Sequence, residues 1–145
     1  MLIKQLSIFV ENKPGRLADI TEVLAKANID IRAISVADTT DFGILRLIVN
    51  KPDEACAALK EAGLAVTLTS VIAVGIDDEP GKFSVALRML ANANIVVEYM
   101  YAFQCRIHGR AYVILRVDNE EKAIEVLTSN SEGVEVISPE RIYNM

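Results

Sequence analysis

The sequence holds no tryptophan, one histidine, two cysteines, four prolines and seven glycines among its 145 residues. Each shortage closes a class of chemistry. His108 is the only imidazole, and Cys56 and Cys105 stand 49 positions apart, whereas zinc sites draw their His and Cys ligands from short paired spacings. No metal and no cofactor is therefore expected. The two thiols are expected to be free and buried, because a lone disulfide is uncommon in a reducing compartment. Cys105 and His108 invite an activated-nucleophile reading, but residues three apart on a strand point to opposite faces. Arg106-Ile107-His108-Gly109 also leads into a turn, so no catalytic residue is assigned. Few prolines and glycines, with 52% apolar and 24% charged residues, exclude a disordered or collagen-like chain.

A long apolar run is missing as well. The longest uncharged stretch, residues 62–76, is broken by Thr67, Thr69, Ser70 and Gly75, and a membrane helix needs about 20 mostly apolar residues. A basic excess is absent too: 15 Lys and Arg against 20 Asp and Glu give a net charge of −5. That field repels phosphate backbones and anionic headgroups, so neither nucleic acid nor membrane is an expected partner. Met1-Leu2-Ile3-Lys4-Gln5 lacks the basic stretch and apolar core of a secretory leader, and the expected location is cytoplasmic.

The chain does contain an internal repeat, which decides the fold class before any element is assigned. An offset of 66 residues places Pro14-Gly15 on Pro80-Gly81, Leu24-Ala25 on Leu90-Ala91, Ala27-Asn28-Ile29 on Ala93-Asn94-Ile95 and Gly43 on Gly109. A two-residue slip then aligns Val49-Asn50 with Val117-Asp118 and Ala55 with Ala123, and Gly63 later meets Gly133. Leu6, Ile8 and Val10 alternate with Gln5, Ser7 and Phe9, and Ile72, Val74 and Ile76 form the counterpart, so each copy opens with a strand of period two. After each Pro-Gly comes a helical stripe, Leu17, Ile20, Leu24 and Ala27 or Phe83, Ala86, Leu87 and Leu90. Asn28 and Asn94 suit left-handed helix ends. Strands are predicted at 29–37 and 44–49, and at 95–105 and 111–117, with Gly43 and Gly109 marking the hairpins. Second helices carry Ala55, Ala58, Leu59 and Ala62, or Ala123, Val126 and Leu127, and final strands follow at 65–69 and 134–137.

Each copy is thus β-α-β-β-α-β, the ferredoxin-like order, and the predicted class is α+β with helices packed against antiparallel sheets. A unit of this size buries little core alone. Ile34 and Val36 fall in the opposite phase from Ile29 and Ile31, and Tyr99, Tyr101 and Phe103 from Val96 and Met100. Both sheet faces then need cover, which implies a second sheet, through dimerisation or folding of one half on the other, and a homodimer is expected.

The strand at 6–10 followed by Asn12-Lys13-Pro14-Gly15-Arg16-Leu17, repeated as Asp78-Glu79-Pro80-Gly81-Lys82-Phe83, resembles the ACT domain. That family comprises regulatory modules of aspartate kinase, chorismate mutase and related amino-acid enzymes. The resemblance covers nearly the whole chain and implies two ACT domains, residues 1–70 and 71–145. It implies a regulatory protein rather than an enzyme, with a small-molecule ligand, most often an amino acid, bound at interfaces between ACT units; a partner enzyme or transcription apparatus would then read the bound state.

Elementary chemistry supports a carboxylate site at those turns. A helix N-terminus offers unpaired N–H groups and a positive dipole end, and Gly15 and Gly81 carry no side chain to block approach. Asn12, Asp77 and Asp78 offer acceptors to an α-ammonium. The ligand residues implied are Asn12, Lys13, Pro14, Gly15, Arg16 and Leu17, with Asp77, Asp78, Pro80, Gly81, Lys82 and Phe83 in the second turn. In the second strands they are Ile34 and Ser35, with Glu98, Tyr99, Met100 and Tyr101. The plainer reading keeps the turns as connectors with Asn12 and Asp78 as helix caps. The two turns differ in sequence, so they need not bind equally.

Two other classes share the fold order. An RRM-like RNA-binding module stacks bases on third-strand aromatics, but residues 43–49 and 110–116 contain one aromatic, Tyr112, between them. A small ferredoxin-like enzyme would need a phosphate-cradling loop, for which Arg16 beside Gly15 is the lone candidate. Asp38 and Asp41 with Thr39 and Thr40, and Asp77-Asp78-Glu79, match no calcium-loop spacing and are expected to be solvated.

Overall fold

In the computed structural model, which describes residues 1–38, 41–103, 108–130 and 132–145, the chain forms two compact units. Lys4–Thr69 with Tyr143–Met145 form the N-terminal unit, and Ser70–Ile142 with Met1–Ile3 the C-terminal unit. Cys105, Thr39 and Thr40 lie outside the described residues, and so does the end of the strand expected at 95–105.

The N-terminal unit contains β1 (Ile3–Glu11), α1 (Arg16–Lys26), β2 (Ile31–Asp38), β3 (Phe42–Val49), α2 (Pro52–Glu61) and the start of β4 (Val66–Asp77). Its strands lie in the order β2-β3-β1-β4, with β3 antiparallel to both neighbours. The C-terminal unit contains the rest of β4, then α3 (Lys82–Asn92), β5 (Val97–Ala102), β6 (Arg110–Val117), α4 (Glu120–Thr128), β7 (Glu135–Val136) and α5 (Pro139–Tyr143). There β6 lies between β4 and β5, and β7 pairs with β4. The segments expected at 65–69 and around Ile72 to Ile76 are one strand, β4, because no residue between them breaks extended backbone.

The repeat is a repeat of cores. Leu6, Ile8, Val10, Leu24, Ile29, Leu47, Val49, Ala55 and Leu59 are buried in one cluster, and Ile72, Val74, Ile76, Leu90, Ile95, Leu115, Val117, Ala123 and Leu127 take the same places in the other. Each fully buried aliphatic side chain contributes about 1.5–3 kcal/mol through removal from water. Both first helices stop for the same reason. Asn28 and Asn94 have φ of 57° and 58°, and the next residue donates back, Ile29 to the Leu24 carbonyl at 2.9 Å and Ile95 to the Leu90 carbonyl at 3.0 Å. This is the Schellman end, with an apolar contact closing it. Leu17, expected in the α1 stripe, is exposed, since the buried face narrows to Ile20 and Leu24.

Three expectations change. Gly43 does not sit at a hairpin: it lies inside β3, opposite Val10 and Asp38. A Cβ there would meet the Ala37 carbonyl oxygen at 3.2 Å and Asn12 Oδ1 at 3.4 Å, so close approach explains the glycine. Gly109 does lie in the turn, with φ of 72° after His108 at 53°. Secondly, Ile34 does not oppose Ile31. The β2–β3 register shifts between Ile31 and Ala33, leaving Arg32 as an extra residue, and both isoleucines pack on the same core. The alternation was broken by a bulge rather than by a two-faced strand. Finally, α5 was not anticipated, because five residues are too few to show a helical period.

Burial in both phases nevertheless occurs along β4, where every residue from Val71 to Ile76 is buried. Gly75 permits it within the C-terminal unit: Ile137 Cδ1 and Tyr112 Cε1 would each stand 3.2 Å from a Cβ at that position. Phe103, packed edge-on against Tyr112 with ring centroids 6.3 Å apart, is buried in the same unit.

Candidate ligand-binding site at the Pro-Gly turns

Each β-strand delivers its chain to a helix through four residues. In Lys13-Pro14-Gly15-Arg16 the Arg16 N–H donates to the Lys13 carbonyl at 3.3 Å, and Gly15 has φ 87° and ψ −9°. In Glu79-Pro80-Gly81-Lys82 the equivalent bond is also 3.3 Å, with Gly81 at φ 86° and ψ −15°. Proline second and a left-handed glycine third define a type II turn. The glycines are themselves the N-caps of α1 and α3, and a glycine has no side chain with which to cap. Asn12 and Asp78 therefore do not occupy the N-cap positions. Among the described residues, and apart from the chain neighbours, no atom lies within 4 Å of a Cβ built on either glycine, so the space in front of each helix start is open.

The two turns differ in charge. In the first, Glu11 is held by Lys13 Nζ at 3.0 Å and Arg16 at 3.8 Å, one carboxylate against two cations. Its carboxyl is pulled below the usual carboxylate range, first by the Lys13 hydrogen bond and charge and then by the Arg16 charge. In the second, the equivalent acid is Asp77, and Arg110 from β6 binds it at 2.9 Å while also donating to the Gly75 and Gly133 carbonyls. The Asp77 carboxylate is thus committed to a structural cation. Asp78 and Glu79 add two more negative charges to that turn, opposed locally by Lys82 and Arg110. With Asp19 in the first turn of α1, two cations and two carboxylates surround that helix start, against two cations and three carboxylates at α3, so a carboxylate meets less repulsion at α1.

Two cavities flank the first turn. One of about 190 Å³ is lined by Asn12, Lys13, Arg16 and Leu17 together with Val36 and Gly43. Another of about 430 Å³ is lined by Phe9, Glu11, Arg16, Asp19, Ile20, Phe42 and Leu64 among others. Arg16 borders both. Of the second-strand residues expected from the sequence, Ile34 packs into the core and neither it nor Ser35 lines these cavities; Val36 does instead. In β5, half-buried Tyr99 and Tyr101 alternate with exposed Glu98 and Met100, so the four do not gather on one face. Glu98 faces Arg116 at 3.6 Å. Phe9 and Phe42 were missed, although Phe9 stands as an aromatic in the polar phase of β1, a signal visible in the alternation itself. Among the described residues, no three His, Cys, Asp or Glu gather as a metal site.

The family model for an ACT domain pair matches residues 1–143. The chain belongs to the ACT domain pair family. Among solved structures, protein BT0572 from Bacteroides thetaiotaomicron is 41% identical to this pair, with a TM-score of 0.92 over 100% of this chain and 98% of its own. The regulatory subunit of aspartate kinase from Thermus thermophilus, in ligand-free form, has a TM-score of 0.62 at 18% identity, over 88% of this pair and 92% of its own chain. Aspartate kinase from Synechocystis matches with a TM-score of 0.59 at 18% identity over 95% of this pair, which corresponds to 28% of that longer chain. These last two share the fold. No curated protein matches the ACT pair.

Proposed function

We propose that this ACT pair is a non-catalytic regulatory protein that binds an amino acid at the Lys13-Pro14-Gly15-Arg16 turn and acts as a homodimer on a partner enzyme. One observation carries the reading: α1 starts at Gly15, with no side chain of its own over the helix start, flanked by Lys13 and Arg16 and beside cavities that an apolar side chain can enter. The ligand carboxylate meets the first-turn N–H groups and the Arg16 guanidinium, a charge-assisted contact. Asn12 Oδ1 and the turn carbonyls accept from the α-ammonium, and Phe9, Ile20, Phe42 and Leu64 supply the apolar wall. The likeness to a regulatory subunit of aspartate kinase agrees with a controlling rather than a chemical role. Ligand binding regulates only through different affinity for two arrangements of the assembly, which the partner then distinguishes.

Thermal-shift and calorimetric screening of the twenty amino acids tests the reading. A true ligand at about a hundredfold excess over its dissociation constant stabilises the pair by about 2.7 kcal/mol. Arg16→Ala should weaken that ligand, and Lys82→Ala, in the acidic second turn, should not. Absence of stabilisation by every amino acid at millimolar concentration overturns the proposal.

A further inference from the structure

We propose that the amino acid bound at the first turn carries an aromatic side chain, held against Phe9 and Phe42. The inference rests on the ligand reading above and adds the chemistry of the side chain. Phe9 and Phe42 are 63% and 52% exposed, so the core of the N-terminal unit needs neither ring. Covering such apolar surface on binding is favourable. The register of β1 and β3 brings the two together. Phe9 stands opposite Ile44, and Glu11 opposite Phe42. Alternate residues of a strand share a face, so both phenylalanines lie on one face as diagonal neighbours. Diagonal neighbours are about 7–8 Å apart, twice the carbon contact distance of about 3.5–4.0 Å. That spacing suits one flat ring better than a branched aliphatic chain. Both phenylalanines line the cavity of about 430 Å³ that also touches Arg16, Asp19 and Ile20 at the start of α1. One ligand can therefore set its carboxylate at Arg16 and its side chain at the rings.

The repeat provides an internal control. The 66-residue offset places Phe9 on Gly75 and Phe42 on His108. At Gly75 the space is taken within the C-terminal unit by Ile137 and Tyr112, each 3.2 Å from a Cβ at that position. One copy closes the place with its own side chains, and the other presents a pair of aromatic rings there. The pair accompanies the same turn to which the ligand is assigned.

The chain lacks tryptophan, so the indole emission of added L-tryptophan reports its binding directly. Calorimetry then compares phenylalanine, tyrosine and tryptophan with leucine, isoleucine and methionine. Each ring contact adds a factor of about two to twelve, and the best aromatic amino acid should bind at least about fivefold more tightly than the best aliphatic one. The ratio should fall to about one in the double variant Phe9→Leu with Phe42→Leu, which keeps apolar bulk without rings. Its urea midpoint should stay near that of the wild type, because both positions are exposed. Arg16→Ala should weaken both classes by the same factor and leave the ratio. Val96→Ala, at a comparably exposed position of the C-terminal unit, should change neither. Aliphatic amino acids bound as tightly as aromatic ones, or a preference that survives the double variant, overturn the aromatic assignment and leave the ligand reading standing. Binding of no amino acid at all overturns both. A double variant that changes the sedimenting species while its preference is unaltered makes the rings a contact between copies, and that result also overturns the assignment.

Discussion

Replacing Gly15 by alanine isolates backbone conformation from packing. The glycine has φ 87°, and among the described residues beyond its chain neighbours no atom lies within 4 Å of the missing Cβ, so an added methyl meets no packed group there. The left-handed region costs an L-residue about 1–2 kcal/mol. Alanine also restricts the unfolded chain, which returns about 0.4–1 kcal/mol. A net loss of about 1 kcal/mol is expected, read as a lower urea midpoint with unchanged denaturant slope. Gly81, at φ 86° and equally free of neighbours, should lose the same amount on Gly81→Ala. Asparagine at either position should cost less than alanine, because its side chain tolerates this region, and valine should cost more. Binding then separates what stability does not: the methyl at residue 15 stands where the ligand carboxylate approaches α1, so Gly15→Ala should weaken the amino acid and Gly81→Ala should not. Unchanged or raised stability in Gly15→Ala, or equal loss of ligand in both variants, would refute the reasoning.

Gly75→Ala tests the opposite case, because its Cβ would stand 3.2 Å from both Ile137 and Tyr112 in a non-strained backbone; overpacking should cost about 1–3 kcal/mol by urea unfolding. Leu59→Ala and Leu127→Ala empty equivalent, fully buried positions in the two cores, and each should lose about 2–5 kcal/mol. Lys13→Ala removes the main cause of the lowered Glu11 pKa, so carbon-detected NMR titration should show that carboxyl moving up toward the usual range. In the unaltered protein the Glu11 contribution is present above the usual carboxylate range and is lost as pH falls through the lowered value. The residue is exposed, so the stability change should be small.

The elements that announced themselves in the sequence were those whose local and tertiary demands agree. Asn28 and Asn94 end their helices because a left-handed residue is required there whatever packs nearby. The turns at Pro14 and Pro80 were legible for the same reason. Gly43 was misplaced because a glycine chosen for close approach looks identical, in letters, to one chosen for a turn. The bulge at Arg32 was invisible because it changes the counting of faces without changing composition. The cavity beside the first turn was only partly legible: Asn12, Lys13, Arg16 and Leu17 are adjacent in sequence, but Val36, Phe42 and Leu64 reach it through strand register and a loop. Likewise the pairing of Asp77 with Arg110 depends on β4 and β6 lying side by side, which no linear motif records.

The bulge at Arg32 has an exact counterpart, since the β5–β6 register shifts between Val97 and Tyr99 and leaves Glu98 as the extra residue. Both strands stand at the edge of their unit's sheet. An apolar edge such as Ile31-Arg32-Ala33-Ile34 invites recruitment of another chain into fibrils. A kink carrying a charged side chain, at the same point of each copy, spoils the straight run of hydrogen bonds that such growth needs. Duplication doubled the number of vulnerable edges, and it duplicated their protection against aggregation as well.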